Sequence, residues 1–297
     1  MISVRILGGL GNQMFAYASA KAIAKFNKTG LQLDTHSGFR NDAYKRNYAL
    51  DHFNIKATIA NNISNYKKLF GHYRQFVERK INLYLPNKLK WYWHETHYTF
   101  HKELLTKPNK HLYLDGYFQA PAYFDSIKNE LQEEFTIKNP PTDELNQSIF
   151  NRIKASQNVV CVHARRLRAL AADGSVVSTN DNKILGLSYY QQAIAYMRSH
   201  LNNPTFVLFG DDPIWLQENL SLNENECITV GHNKGDENNY KDFWLMQHCQ
   251  HFILSNSTFA WWAAYLSEAD NKITVAPPIR FWENDSILND RTYQIID

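Results

Sequence analysis

Cysteine is scarce in this chain. Cys161, Cys227 and Cys249 are the three in 297 residues, and none stands in a Cys-x-x-Cys pair. No disulfide framework is implied, and the pattern suits a reducing compartment. Nowhere do about 18 apolar residues run together, so a membrane-spanning helix is not expected and any membrane contact would be peripheral. The first nine residues, Met1-Ile2-Ser3-Val4-Arg5-Ile6-Leu7-Gly8-Gly9, lack a basic start followed by a long apolar core, so they read as a strand and not as a signal peptide. Large net charge is missing too. A formal charge of +3 is small for this length and argues against a protein whose main business is the nucleic-acid backbone. There is no internal repeat and no low-complexity segment. The expected setting is a bacterial-type cytoplasm, with peripheral contact at the inner face of the membrane compatible with the composition.

What is present is an even spread of apolar residues and a regular alternation of elements. The first strand runs into Gly8-Gly9-Leu10-Gly11-Asn12-Gln13, which reads as a flexible turn, and residues 14–24 are alanine-rich and helix-forming. Residues 31–34 then complete an opening βαβ unit. Residues 59–110 are expected to be mostly helical, 111–119 a strand pattern ending in a turn, and 123–135 a helix. Between Lys67 and Lys110 basic residues outnumber acidic ones and alternate with Tyr73, Phe76, Tyr84, Trp91, Tyr92, Trp93, Tyr98 and Phe100. Such a segment can lie on an anionic membrane surface, line a sugar-binding cleft, or be a helical region with ordinary solvated charge.

Paired prolines at Asn139-Pro140-Pro141-Thr142 mark a loop or linker, followed by a helix over 143–155. The expected division is 1–155 and 156–297. In the second half strands are predicted at 159–163, 205–209, 227–230, 252–255 and 273–276, with helices at 188–201 and 240–249. That alternation predicts a doubly wound parallel sheet.

Four places carry residues suited to chemistry. The strand Val159-Val160-Cys161-Val162 delivers His163, Arg165 and Arg166 at the sheet edge where open α/β folds bind ligands. Two guanidinium forks there suit a diphosphate, and they equally suit a solvated or salt-bridged strand end. Gly8 to Gln13 has neither the dinucleotide nor the P-loop glycine spacing, yet it would let a ligand approach the backbone near Asn12 and Gln13; the alternative is a tight turn with a capping Asn. Asp211-Asp212-Pro213 follows a strand. A carboxylate there can accept the N1 and N2 hydrogens of guanine, and Asp before Pro is also an ordinary helix cap. Ser255-Asn256-Ser257-Thr258 precedes an aromatic helix, where hydroxyls and open backbone donors form an anion site or simply cap. Trp261 and Trp262 are more simply core. Of the twelve histidines, His94 and His97 are the closest pair with liganding potential, and no carboxylate-rich site accompanies them, so no metal is expected.

These residues together resemble bacterial alpha-1,2-fucosyltransferases, glycosyltransferase family 11. The Gly-Gly-Leu-Gly-Asn-Gln start, Gly116-Tyr117-Phe118-Gln119, His163-x-Arg165-Arg166, Asp211-Asp212, Leu245-Met246 and Asn256-Ser257-Thr258-Phe259-x-Trp261-Trp262 stand in family order nearly end to end. The resemblance implies a GT-B-like α/β architecture, two Rossmann-type domains facing a central cleft, with an N-terminal acceptor-side domain and a C-terminal GDP-sugar domain. It implies a GDP-fucose co-substrate, a galactose-containing oligosaccharide or lipid-linked glycan acceptor, inversion, and neither cofactor nor metal. Carried over, Arg165 binds the diphosphate, with Arg166 supporting it or the fold around it. Asp212 holds guanine. Ser257 and Thr258, flanked by Asn256 and Phe259, meet the phosphates. Asn12, with Gly11 and Gln13, lies by the donor sugar. His163 and Arg165 are expected catalytic residues. One departure stands out: Leu167 and Arg168 occupy positions where the family usually has Gly-Asp. The proton acceptor would then come from elsewhere, and Asp173, with Asp181 next in line, is the expected carboxylate. Another GDP-sugar, or a catalytically silent nucleotide-sugar-binding homologue, would fit the same motifs.

Overall fold

The computed structural model describes residues 1–61, 66–68, 70–106, 109–166, 169–170, 176–177, 184–282, 284, 286–288 and 292–297. The chain forms two compact units, Met1–Thr136 with Asn284–Asn289, and Ile137–Glu283 with Asp290–Asp297.

The first unit contains β1 (Ile2–Arg5), α1 (Leu10–Phe26), β2 (Leu31–Asp34), β3 (Thr58–Ile59), α2 (Gly71–Leu83), β4 (Tyr92–His94), α3 (Glu103–Thr106), β5 (Leu112–Asp115) and α4 (Lys128–Glu134). Its strands pair in the order β3-β2-β1-β5-β4, and every pairing is parallel. The opening βαβ unit forms as predicted. Alanines at 16, 18, 20, 22 and 24 are buried, since short side chains let α1 lie close to its neighbours. The aromatic rings of Phe15, Tyr17, Phe53, Phe124 and Phe135 pack edge-on or tilted at centroid distances of 5.6 to 5.7 Å. Each fully buried ring contributes about 2 kcal/mol of transfer free energy.

Two expectations for this half change. Residues 59–110 are not mostly helical, because β4 adds to the sheet beside β5. The Asn82 carboxamide at the end of α2 accepts from the backbone of Trp91 and Tyr92 at 2.9 and 3.0 Å, turning the chain into that strand. Residues 123–135 are not one helix either. Single turns at Pro121–Tyr123 and Asp125–Ile127 precede α4.

The second unit contains α5 (Glu144–Ala155), β6 (Val159–Ala164), β7 (Ala169–Leu170), β8 (Val176–Val177), α6 (Leu187–His200), β9 (Thr205–Gly210), α7 (Pro213–Asn219), β10 (Cys227–Thr229), α8 (Asn239–Gln247), β11 (His251–Ile253), α9 (Thr258–Leu266), β12 (Thr274–Ala276) and β13 (Tyr293–Ile295). Its main sheet runs β10-β9-β6-β11-β12-β13, all parallel, while β7 and β8 form a separate antiparallel pair. Counted from β6 and leaving that pair aside, the order is 3-2-1-4-5-6, the doubly wound arrangement of dinucleotide-binding folds. Every residue of β6 is buried, as a central strand covered on both faces requires. Val160, Val162, Phe206, Leu208, Ile253 and Val275 meet Tyr190, Met197 and Leu216 of α6 and α7.

The units divide at Thr136/Ile137, earlier than the 155/156 boundary read from sequence. The reason is α5, which packs into the second unit. Asn146 Nδ2 donates to Asn233 Oδ1 at 3.0 Å, and Phe150 stacks on Trp244 at 4.7 Å. Asp143 caps this helix through the Asn146 amide at 3.1 Å. Among the described residues no helix is long and apolar enough to cross a membrane.

Candidate functional site

In a doubly wound sheet, ligands bind outside the carboxyl ends of the strands where the strand order reverses. In the second unit that place lies between β6 and β11. The end of β6 is fixed by its pairing with β9, whose last register is Ala164 opposite Gly210. Gly210 has φ +140°, and a Cβ built on it would stand 2.0 Å from the Ala164 carbonyl oxygen, so only glycine allows this approach. The approach places the Asp211 carboxylate against the Arg166 amide, which donates to its two oxygens at 2.8 and 3.1 Å.

Arg166 is committed to the scaffold. Its guanidinium lies 3.6 Å from the Trp215 ring centroid and 3.9 Å from an Asp212 oxygen, a stacked cation contact worth about 1 kcal/mol. Asp212 caps α7 by accepting from the Trp215 amide at 3.2 Å, so the capping account of Asp-Pro holds, while its side chain keeps 39% of its exposure. Arg165 is half-buried immediately beyond β6.

Across the switch point, the His163 ring shares a 2.7 Å hydrogen bond through Nδ1 with Ser255 Oγ. Both groups are buried. Burial, with the Arg165 charge in second place, pushes the His163 pKa down to about 3. A ring that stays neutral through the physiological range is a poor proton acceptor but a firm strut, so the structure favours a positioning role for His163 over a proton-carrying one. Tyr189 supports the same loop by donating to the Leu254 carbonyl at 2.5 Å, and Asn256 Nδ2 donates to the Phe281 carbonyl at 2.8 Å. Ser257 stands at the N-cap of α9 without forming a side-chain cap bond, so the capping account does not apply to it. Phe259 lies 6.1 Å from His163, and Trp261 and Trp262 are core.

The first unit has its own switch point, between β1 and β5. Here α1 begins at Leu10, so Gly11, Asn12 and Gln13 form its first turn and not a flexible loop. Gln13 was expected to face the donor. It is instead a brace: Nε2 donates to the Gly8 and Asn47 carbonyls and Oε1 accepts from the Ala49 amide, each at 2.9 Å. Asn12 Oδ1 accepts from Gln119 Nε2 at 2.9 Å, which ties the start of α1 to the Gly116-Tyr117-Phe118-Gln119 turn.

Glu95, invisible in the sequence reading, organises that turn. One of its oxygens accepts from the Tyr117 and Phe118 amides at 2.8 and 3.0 Å, and Gly116 is required because a Cβ there would lie 2.4 Å from Glu95 Cβ. Burial raises the Glu95 pKa to about 7 against the lowering effect of those amides. Nearby, Asp115 gathers Arg5 at 2.9 Å, Arg79 at 2.7 Å and the Tyr92 hydroxyl at 2.5 Å. His94 also reaches Asp115, at 3.2 Å. Among the described residues no three His, Cys, Asp or Glu side chains form a group that could hold a metal ion. Asp173, Asp181, Leu167 and Arg168 lie outside the described residues.

Comparison with known proteins bears on the fold and the family. An alpha-1,2-colitosyltransferase of Escherichia coli is 30% identical over 281 residues, covering 93% of this chain and 91% of the relative. The O-antigen biosynthesis glycosyltransferase WbnK of Escherichia coli is 28% identical over 284 residues, 91% of each. Galactoside alpha-(1,2)-fucosyltransferase 2 of Hylobates lar is 24% identical over 278 residues, 91% of this chain and 70% of the relative. Among solved structures, the NodZ alpha-1,6-fucosyltransferase soaked with GDP-fucose aligns with a TM-score of 0.51 at 15% identity over 92% of this chain and 94% of its own. A variant of Arabidopsis thaliana FUT1 in complex with GDP aligns with a TM-score of 0.53 at 10% identity over 95% and 71%. These likenesses concern the fold, a GT-B-like pairing of two parallel-sheet α/β units. The family model described as glycosyl transferase family 11 matches residues 1–294, and the chain belongs to that family.

Proposed function

We propose that this chain is an inverting, metal-independent transferase. It moves L-fucose from GDP-fucose to the 2-hydroxyl of a galactose-type acceptor during synthesis of a surface glycan. One observation carries the reading: the parallel pairing of β6 and β11 sets Arg165 and the start of α9 at one switch point. A helix start and an arginine fork suit a diphosphate, whose charge grows on the β-phosphate as the glycosidic bond breaks. In this reading Ser257 and Thr258 meet the phosphates and the exposed part of Asp212 takes guanine. Asn12, held by Gln119, is assigned to the donor sugar on the family resemblance. The acceptor hydroxyl attacks the face opposite GDP through an oxocarbenium-like transition state and gives its proton to a carboxylate, assigned to Asp173. The alpha-1,2 relatives support the linkage, and the O-antigen relative supports a surface-glycan setting.

The colitosyltransferase relative favours a second reading, in which another GDP-sugar is the donor. A screen of several GDP-sugars on a galactose-terminated acceptor, run with EDTA, separates the two. Chelator-insensitive transfer from GDP-fucose alone is the expected result, and transfer from a different GDP-sugar alone would replace it with the second reading. GDP binding without turnover of any donor would mark a silent homologue. Arg165→Ala is expected to lower kcat/KM by about 10²-fold to 10³-fold with an unchanged melting temperature, and near-normal kinetics would remove Arg165 from the site.

A further inference from the structure

Helix α2 is inside out. Its buried residues are Gly71, Gln75 and Asn82, all without an apolar side chain of any size. Gln75 donates to the Tyr92 hydroxyl at 3.1 Å, and Asn82 pairs with the backbone leading into β4. Glu78 and Arg79 turn the same way, toward Tyr66 and Asp115 respectively. Its outer face carries the apolar residues. Tyr73, Phe76, Ile81, Leu83 and the flanking Phe70 and Tyr84 fall on one side of a 3.6-residue helix, and all are exposed, Phe70 by 75%, Tyr73 by 62% and Tyr84 by 88%. A surface helix of a globular protein normally shows the opposite pattern, and a contiguous exposed apolar face rimmed by charge marks an interaction surface.

The charge decides what covers it. From Tyr66 to Trp93 the chain carries seven Lys and Arg residues against the single carboxylate Glu78, and that carboxylate is taken by Tyr66 and Arg74 at 2.7 and 2.6 Å. Lys80 stands in the middle of the apolar face, 5.7 Å from the Phe76 ring, with Lys88 and Lys90 just beyond the helix. A second copy would set this positive field against itself, whereas an anionic lipid surface complements it. Tyrosine and lysine are also side chains that sit comfortably at headgroup level. We propose that the outer face of α2 docks the protein on an anionic membrane surface, with its aromatic rings at the acyl boundary and its lysines among the headgroups. This surface is independent of the donor chemistry.

The test is sedimentation of the full chain with phosphatidylethanolamine–phosphatidylglycerol vesicles, with phosphatidylcholine vesicles as the neutral control. The chain is expected to pellet with the anionic vesicles and to release as salt rises. Lys80→Gln and Lys88→Gln should each weaken binding about fivefold. The combined Tyr73→Ser, Phe76→Ser and Tyr84→Ser variant should lose more than about tenfold while its circular dichroism stays the same, because those side chains are exposed. Four outcomes would overturn the proposal: a chain that stays in the supernatant at low salt, equal pelleting with neutral vesicles, lysine variants that bind like the parent, or a concentration-dependent dimer in place of vesicle binding.

Discussion

At the scale of single residues, what a side chain is tied to separates scaffold from chemistry. Gln13 and Arg166 both read as ligand groups in the sequence, yet Gln13 braces three backbone groups and Arg166 stacks on Trp215. The brace at Gln13 was not legible beforehand, because Asn47 and Ala49 are distant in the chain and only folding brings them in, whereas a scaffold role for Arg166 was one of the two open readings of that strand end. Glu95 is the converse case. Nothing marks it in Trp93-His94-Glu95 until β4 sets it beside Gly116. With its pKa raised to about 7 by burial, Glu95 is half ionised near neutrality and loses a proton as pH rises through that value. The turn that it holds also holds Asn12, so kcat/KM is expected to change slope near pH 7 in the parent and in Asp173→Asn. That break should be absent in Glu95→Gln. The Asp173→Asn variant should instead lose about 10²-fold to 10⁴-fold at every pH, as removal of a proton acceptor does. A break that persists in Glu95→Gln would detach Glu95 from the titration, and an unchanged Asp173→Asn rate would remove Asp173 as the base.

At the scale of elements, the strands of the second unit were legible because β-branched and aromatic runs bounded by polar turns have few other uses. The first unit was less so. Its edge strands β3 and β4 are two and three residues long and owe their conformation to their neighbours, while α1 starts after a glycine that offers no capping side chain. Gly210 shows how one element end sets the site. The close pass of β9 over the Ala164 carbonyl is what brings Asp211 to the Arg166 amide and leaves Arg165 at the edge. Gly210→Ala must move either strand end, combining an unfavourable positive φ with a backbone clash. It is expected to destabilise the chain by about 1–3 kcal/mol and to weaken GDP binding. Denaturant unfolding and calorimetric titration with GDP check both. Parent-like stability with parent-like GDP affinity would show that the β6 and β9 ends are not a constraint.

At the scale of the whole molecule, the chain leaves the first unit once near residue 136 and then returns to it briefly near its end. That return was not legible beforehand, since residues 284–289 carry no periodicity. Their work is done by single side chains. Asn284 is buried and donates to the Gln119 carbonyl, and Ile287 is fully buried. The residues that follow serve the second unit, where β13 pairs with β12 and Ile296 donates to the Ala276 carbonyl at 3.2 Å. Two truncations therefore separate the contributions. Ending the chain after residue 289 strips β13 alone, so amide hydrogen exchange should quicken around Thr274–Ala276 while the first unit keeps its protection. Ending it after residue 282 also removes Asn284 and Ile287. Exchange should then quicken at the Tyr117 and Phe118 amides as well, with a further loss of about 2–5 kcal/mol for the vacated isoleucine site. Unchanged protection at those two amides in the shorter chain would mean that the Glu95 carboxylate alone holds the turn, and that the terminal return adds nothing to it.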